Sequence, residues 1–148
     1  MSLNGTYDPN NIFAKILRGE MPSCKVYEDD HVLAFMDLFP QAPGHTLVLP
    51  KKAGRNLLDT DDVVLENAIV RVKKIASGVE KAFSPDGLII TQFNGEPAGQ
   101  SVFHLHFHII PRFVDQPFDR HGRGKPADKE VLHSQAARIA KSIEELEV

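Results

Sequence analysis

The chain has one cysteine, Cys24, and no tryptophan. A lone thiol excludes an intrachain disulfide and a metal cluster built on cysteines. Charge is close to balanced: 17 Lys and Arg against 20 Asp and Glu leave −3 at pH 7. The basic face that nucleic-acid backbone demands is therefore missing, although a local phosphate site for a mononucleotide stays open. No apolar run approaches the roughly 18 residues of a membrane span. Met1-Ser2-Leu3-Asn4-Gly5 lacks the charged-then-apolar pattern of a secretory leader, and Ser2 stands where N-myristoylation needs glycine. The expectation is a cytoplasmic protein with no nucleic-acid and no membrane partner. No internal repeat or low-complexity tract breaks the 148 residues, and a hydrophobic share of 42% can fill one core. One domain over 1–148 is expected.

What is present reads as alternating runs of strands and helices. Residues 1–9 look like a loose arm. Asp8-Pro9-Asn10-Asn11 is a helix-start signal ahead of Ile12, Phe13, Ile16 and Leu17, and Gly19 and Pro22 stop that helix. Val26-Tyr27, Val32 to Met36 and His45 to Pro50 read as three strands of an antiparallel meander. Asp59 or Thr60 is the expected cap of a long helix with an apolar stripe at Leu65, Ala68, Val72, Ala76, Val79 and Phe83. Core packing accounts for that stripe. Leu88 to Phe93 is a fourth strand, and Asn94 to Ser101 is a loop bearing glycine and proline. Beyond Arg112, residues 113–148 form a C-terminal extension. The connection 113–127 is its expected mobile part, and Asp128 caps a last helix marked by Leu132, Ala136, Ile139 and Ile143. The order implies an α+β fold with a five-stranded, mostly antiparallel sheet.

The fifth strand carries the chemistry. Val102 to Arg112 alternates apolar residues with His104, His106 and His108. As a continuous strand it puts the three imidazoles on one face and Phe103, Leu105, Phe107 and Ile109 on the other. Burying three imidazoles for structure alone would require partners for every ring nitrogen. Metal ligation is a second reading, but the outer backbones of such a strand lie about 13 Å apart, and no carboxylate follows His108 until Asp115. Nucleophilic catalysis is a third. A neutral imidazole attacks phosphorus, neighbouring histidines supply a donor and an acid, and Gly99, Gln100 and Ser101 lie just upstream to hold phosphate oxygens. Neither phosphate-binding glycine fingerprint is present. His31 and His133 read as surface residues.

His104-Leu105-His106-Phe107-His108-Ile109-Ile110 resembles the HφHφHφφ signature of the histidine-triad (HIT) superfamily, and Ala98 to Val102 resembles its phosphate loop. Ile12 to Ile16, Gly19 to Ser23, Val26 to Asp30 and Pro43 to Lys51 resemble its nucleotide-binding Hint branch, so the likeness covers about residues 10–112. The resemblance implies a HIT-like fold and a homodimer whose sheets join. It implies a hydrolase that cleaves purine nucleoside phosphoramidates or acyl-adenylates to a monophosphate. His106 would attack the α-phosphorus, His108 would bind phosphate and protonate the leaving group, and His104 and His45 would orient and relay protons. Asp37 would bind ribose. Phe13, Ile16, Met21, Leu38 and Leu47 would form the base pocket, with core packing as the plainer role for these five. Asn94, Gly99, Gln100 and Ser101 would face the phosphate. A dinucleoside polyphosphate hydrolase and a nucleotide-binding interaction module are the alternatives. His108 separates the chain from the nucleotidyl-transferase branch, which resembles this pattern but lacks the third histidine. Some Hint relatives hold structural zinc through paired N-terminal cysteines. Asn10, Asn11 and Ala14 offer none, so neither metal nor cofactor is expected. Arg112, Arg120, Arg123 and Lys125 could reach an anionic leaving group, with a basic solvated loop as the plainer reading.

Overall fold

A computed structural model of the chain describes residues 3–117 and 126–147. Arg120, Arg123, Lys125 and most of the connection expected to be mobile lie outside the described residues. The elements are α1 (Ile12–Leu17), β1 (Lys25–Glu28), β2 (Val32–Met36), β3 (Thr46–Pro50), α2 (Asp62–Phe83), β4 (Gly87–Thr91), a 3-10 turn at Glu96–Ala98, β5 (Phe107–Arg112) and α3 (Lys129–Leu146). This is the expected α+β architecture.

The strands form one sheet in the order β1-β2-β3-β5-β4, antiparallel throughout. Every residue of β2 and β3 is buried, because the sheet is covered on both faces. Alternation divides the side chains between the two layers. Val32, Ala34, Met36, Val48, Phe107 and Ile109 join Val72, Ile75, Val79, Ile139 and Ile143 of α2 and α3. Leu33, Phe35, Leu47 and Leu49 point the other way, under Phe13, Ile16 and Leu17 of α1. His108 lies between Phe107 and Ile109, so the strand turns it to the α1 face. Each large apolar side chain taken from water contributes about 1.5–3 kcal/mol, which makes the α2–α3 layer the main source of stability. The close approach of those two helices needs Gly78, since a Cβ there would meet Cγ1 of Ile143.

Several expectations change. The triple-histidine segment is a strand only from Phe107, so His104 and His106 precede it in irregular backbone. Extending the β3–β5 register would bring Leu105 opposite Pro50. Proline has no N–H to donate, and the Pro50 carbonyl instead accepts from the His104 ring. Leu105 N–H donates to the Gly54 carbonyl at 2.8 Å. The expected apolar face breaks as well: Leu105, Phe107 and Ile109 enter the core, whereas Phe103 stacks beneath the Arg55 guanidinium at 4.6 Å. The arm expected to be loose is tied down, with the Leu3 carbonyl accepting from Asn56 Nδ2 and Tyr7 reaching His104. The cap of α2 is Asp61, one or two residues later than expected. The Asp59 carboxylate is taken by the N–H groups of Arg55 and Asn56, and the Thr60 hydroxyl donates to the Asn56 carbonyl. Strand β4 ends at Thr91 rather than Phe93.

Candidate active site

Three segments meet on the α1 face of the sheet. The β2–β3 loop brings Asp37 and His45, the end of β3 brings Pro50, and the stretch into β5 brings the triad. Asp37, His45, His104, His106 and His108 are all buried. His106 meets the Phe13 ring edge-on at 4.8 Å between centroids, and Phe13 meets Phe35 in the same way. The Phe93 ring lies 5.4 Å from that of His108.

Backbone partners decide which nitrogen of each ring holds its proton. His106 Nδ1 lies 2.7 Å from the carbonyl of His104. A carbonyl only accepts, so Nδ1 carries the proton and Nε2 is the lone-pair nitrogen of the neutral ring. His104 Nε2 donates to the Pro50 carbonyl at 2.7 Å, so its Nδ1 accepts from the Tyr7 hydroxyl, also at 2.7 Å. Burial pushes the His104 pKa below the ordinary histidine value, partly opposed by the Pro50 hydrogen bond. The ring is thereby kept neutral. His45 Nδ1 accepts the Gln41 backbone N–H at 3.0 Å, which leaves its proton on Nε2. That atom is 2.9 Å from His108 Nδ1 and 3.4 Å from Asp37 Oδ2. His108 Nδ1 therefore accepts, and His108 carries its own proton on Nε2. A single backbone N–H at Gln41 thus sets the direction of a two-imidazole relay. Asp37 is held in turn by its Oδ1, which accepts the Phe39 N–H.

The upstream loop is organised by Gln100. Its Oε1 accepts from Gly95 N–H, and its Nε2 donates to the carbonyls of Arg55 and Val102. The side chain expected to face phosphate is thus engaged with the loop backbone and buried. Gly99 adopts φ +109° and lies on the Phe93 ring, so the turn there requires glycine. Gly99 and Ser101 are exposed beside the triad segment. Asn94 pairs with Gln92 and accepts the Leu57 N–H. Of the five expected pocket residues, Phe13 and Leu47 are buried and Ile16 is half-buried. Met21 and Leu38 are 41% and 42% exposed. His31 and His133 lie on the surface as expected.

Asp37, His45 and His108 present ligand atoms within 4.8 Å of one another and could hold a metal ion, at the cost of the His45–His108 hydrogen bond. Sequence reasoning missed Tyr7, the Gln41 N–H and the Pro50 carbonyl. Side-chain chemistry gives no signal for the two backbone groups. Tyr7 had one: it is the single aromatic residue of the arm.

Comparisons with known proteins bear on the same residues. The chain is 50% identical over 104 residues to Protein hit of Bacillus subtilis, covering 70% of this chain and 72% of that protein. It is 41% identical over 112 residues to adenosine 5'-monophosphoramidase HNT1 of Saccharomyces cerevisiae, covering 76% of this chain and 68% of that protein. The crystal structure of a Hit-like protein from Bartonella henselae superposes with a TM-score of 0.88 at 51% identity, over 93% of this chain and 99% of that one. The sequence pattern that defines the HIT domain spans residues 18–115, which hold Asp37, His45 and all three histidines of the triad, and the chain belongs to the HIT domain family.

Proposed function

We propose that the protein is a nucleotide hydrolase that cleaves purine nucleoside 5'-phosphoramidates or acyl-adenylates through a nucleotidyl-histidine intermediate. The observation that carries this reading is the 2.7 Å contact between His106 Nδ1 and the carbonyl of His104. With Nδ1–H held by the His104 carbonyl, the lone pair of the neutral ring lies on Nε2, the atom that would attack phosphorus. In the first step a bond forms between His106 Nε2 and the α-phosphorus, and the phosphorus–nitrogen bond to the leaving amine breaks. The amine takes the proton of His108 Nε2. His45 Nε2–H, donating to His108 Nδ1, stabilises the electron pair left on that ring until the second step returns the proton. In the second step water attacks phosphorus, returns a proton to the relay and expels neutral His106 and the monophosphate.

In this reading the exposed Gly99 and Ser101 would donate to the phosphate oxygens, and Asp37, just after β2, would bind the ribose hydroxyls. Phe13, Ile16, Met21, Leu38 and Leu47 would grip the flat base, the first, second and last of them from one apolar cluster. The yeast relative named as a phosphoramidase favours this substrate class over dinucleoside polyphosphates.

A homodimer belongs to the same reading. Strand β4 ends the sheet with one edge unpaired among the described residues. Ile69 and Ile90, 50% and 44% exposed, line a shallow apolar groove between α2 and β4. A second copy pairing edge to edge would cover both. A cytoplasmic location also remains part of the proposal; among the described residues no helix is long and apolar enough to cross a membrane.

The test is incubation of chelator-treated protein with adenosine phosphoramidate and with diadenosine polyphosphates, following AMP. Release of AMP from the phosphoramidate is expected, with a labelled protein adduct that His106→Ala abolishes. Turnover of only the polyphosphate would favour the alternative hydrolase, and AMP binding without turnover would favour an interaction module.

A further inference from the structure

We infer that Tyr7 is a positioning residue for the triad, and that the N-terminal arm is a strap that sets the His106 tautomer through His104. The inference rests on the hydrolase reading for its kinetics but not for its geometry.

The carbonyl of His104 accepts from His106 Nδ1 and so favours the tautomer with the lone pair on Nε2. That carbonyl lies outside any strand, because β5 starts only at Phe107. Regular ladder bonds therefore do not fix it. The segment is pinned instead by Leu105 N–H to Gly54, by Gln100 Nε2 to the Val102 carbonyl, and by the His104 ring. The ring is held at both nitrogens, with Nε2 donating to Pro50 and Nδ1 accepting from Tyr7. His104 is 1% exposed, so with Tyr7 in place the hydroxyl and not solvent supplies the donor at Nδ1. Tyr7 also stands edge-on to the ring, with centroids 5.7 Å apart and planes at 68°, which resists rotation about the Nε2 hydrogen bond.

The strap itself is anchored. The Leu3 carbonyl accepts from Asn56 Nδ2 at 2.8 Å, and Gly5 runs so close to Arg55 that a Cβ there would be 3.3 Å from Cζ. At its far end, Asp8 ties the strap to the start of α1, accepting Asn10 N–H on its carboxylate and Asn11 Nδ2 on its carbonyl. Tyr7 reaches the triad through the His104 ring. Its loss should act on the chemical step rather than on nucleotide binding.

The experiment uses full-length Tyr7→Phe, which keeps the ring and removes only the hydroxyl donor. Imidazole 15N spectra read the tautomers directly, and steady-state kinetics with adenosine phosphoramidate read kcat and KM separately. The expected result is a changed His104 signal, a mixed tautomer population at His106, and a kcat lowered about tenfold with KM within about twofold. Unchanged His104 and His106 spectra would overturn the inference whatever the activity. Changed spectra with an unchanged kcat would overturn the positioning role. If the wild type turns over no phosphoramidate, the substrate reading fails, while the spectra still decide whether Tyr7 controls His106.

Discussion

Two glycines test how the loop ahead of His45 is built. Gly19 and Gly44 both adopt left-handed backbone, at φ +78° and +88°. An added methyl at Gly19 meets nothing within 4 Å, whereas at Gly44 it would lie 3.1 Å from Phe83 Cδ2, 3.1 Å from Pro111 Cγ and 3.2 Å from Phe83 Cε2. Alanine at either site meets the left-handed backbone penalty of about 1–2 kcal/mol. Part of that is offset by about 0.4–1 kcal/mol from the stiffer unfolded chain. Gly19→Ala should therefore cost between about 0 and 1.6 kcal/mol. At Gly44 the ring atoms cannot swing aside, because Pro111 lies in β5 and the Arg138 guanidinium stacks on Phe83. Overpacking adds about 1–3 kcal/mol there. Gly44→Ala should lose about 1–4.6 kcal/mol in all, which corresponds to a drop of roughly 3–16 °C in Tm for a chain of this size. Urea titrations of the two variants, with the slope m unchanged, give the difference directly. Equal losses in the two would refute the packing argument. AMP release should fall in Gly44→Ala alone, because the displaced loop carries His45.

Three further outcomes are expected. Burial raises the Asp29 pKa, but hydrogen bonds from Arg71, the His31 and Val32 N–H groups and the Tyr27 hydroxyl outweigh it and hold the carboxyl well below the usual carboxylate range. Its folded-state pKa is depressed, so its contribution to stability is complete above about pH 4 and is lost as pH falls further. In Asp29→Asn the difference from wild type in urea midpoint should shrink between pH 6 and pH 3, and a constant difference would contradict the linkage. Ile139→Ala, in the middle of the α2–α3 layer, should cost about 2–5 kcal/mol in the same titration; a loss under about 1 kcal/mol would mean that the layer repacks. His45→Ala removes the donor to His108 Nδ1 and should lower kcat about a hundredfold, with the protein adduct still forming from substrates whose leaving group needs no proton. Loss of the adduct with those substrates too would place His45 in the attack step instead.

Local pattern carried most of the fold. The bounds of β2 match because Val32 to Met36 is an uninterrupted apolar run between an acidic turn and Asp37. Asp128 was visible as the cap of α3 because its side chain accepts the Glu130 N–H, a bond between near neighbours. The start of β5 was not visible. Nothing in Val102 to His106 forbids a strand, and what ends the ladder is Pro50, on a different strand, together with the Pro50 carbonyl. The same limit applies to the site. The histidines and Asp37 were legible as residue types. Their protonation was not, since it depends on the Gln41 N–H and two carbonyls that have no side-chain identity.

The hydrogen bonds that wire the site join residues far apart along the chain. Tyr7 to His104 spans 97 positions, His45 to His108 spans 63, Pro50 to His104 spans 54, and Gly44 N–H to Gln135 spans 91. Contacts this remote carry the largest loop-closure cost and form late. A chain emerging from the ribosome can complete its β1–β2–β3 meander long before its first triad residue is made. Until β5 inserts between β3 and β4, His45 has no His108 to donate to and Tyr7 has no His104 to hold. Catalytic competence should therefore appear in a single late event, and recovery of AMP release during refolding should lag behind recovery of helix signal.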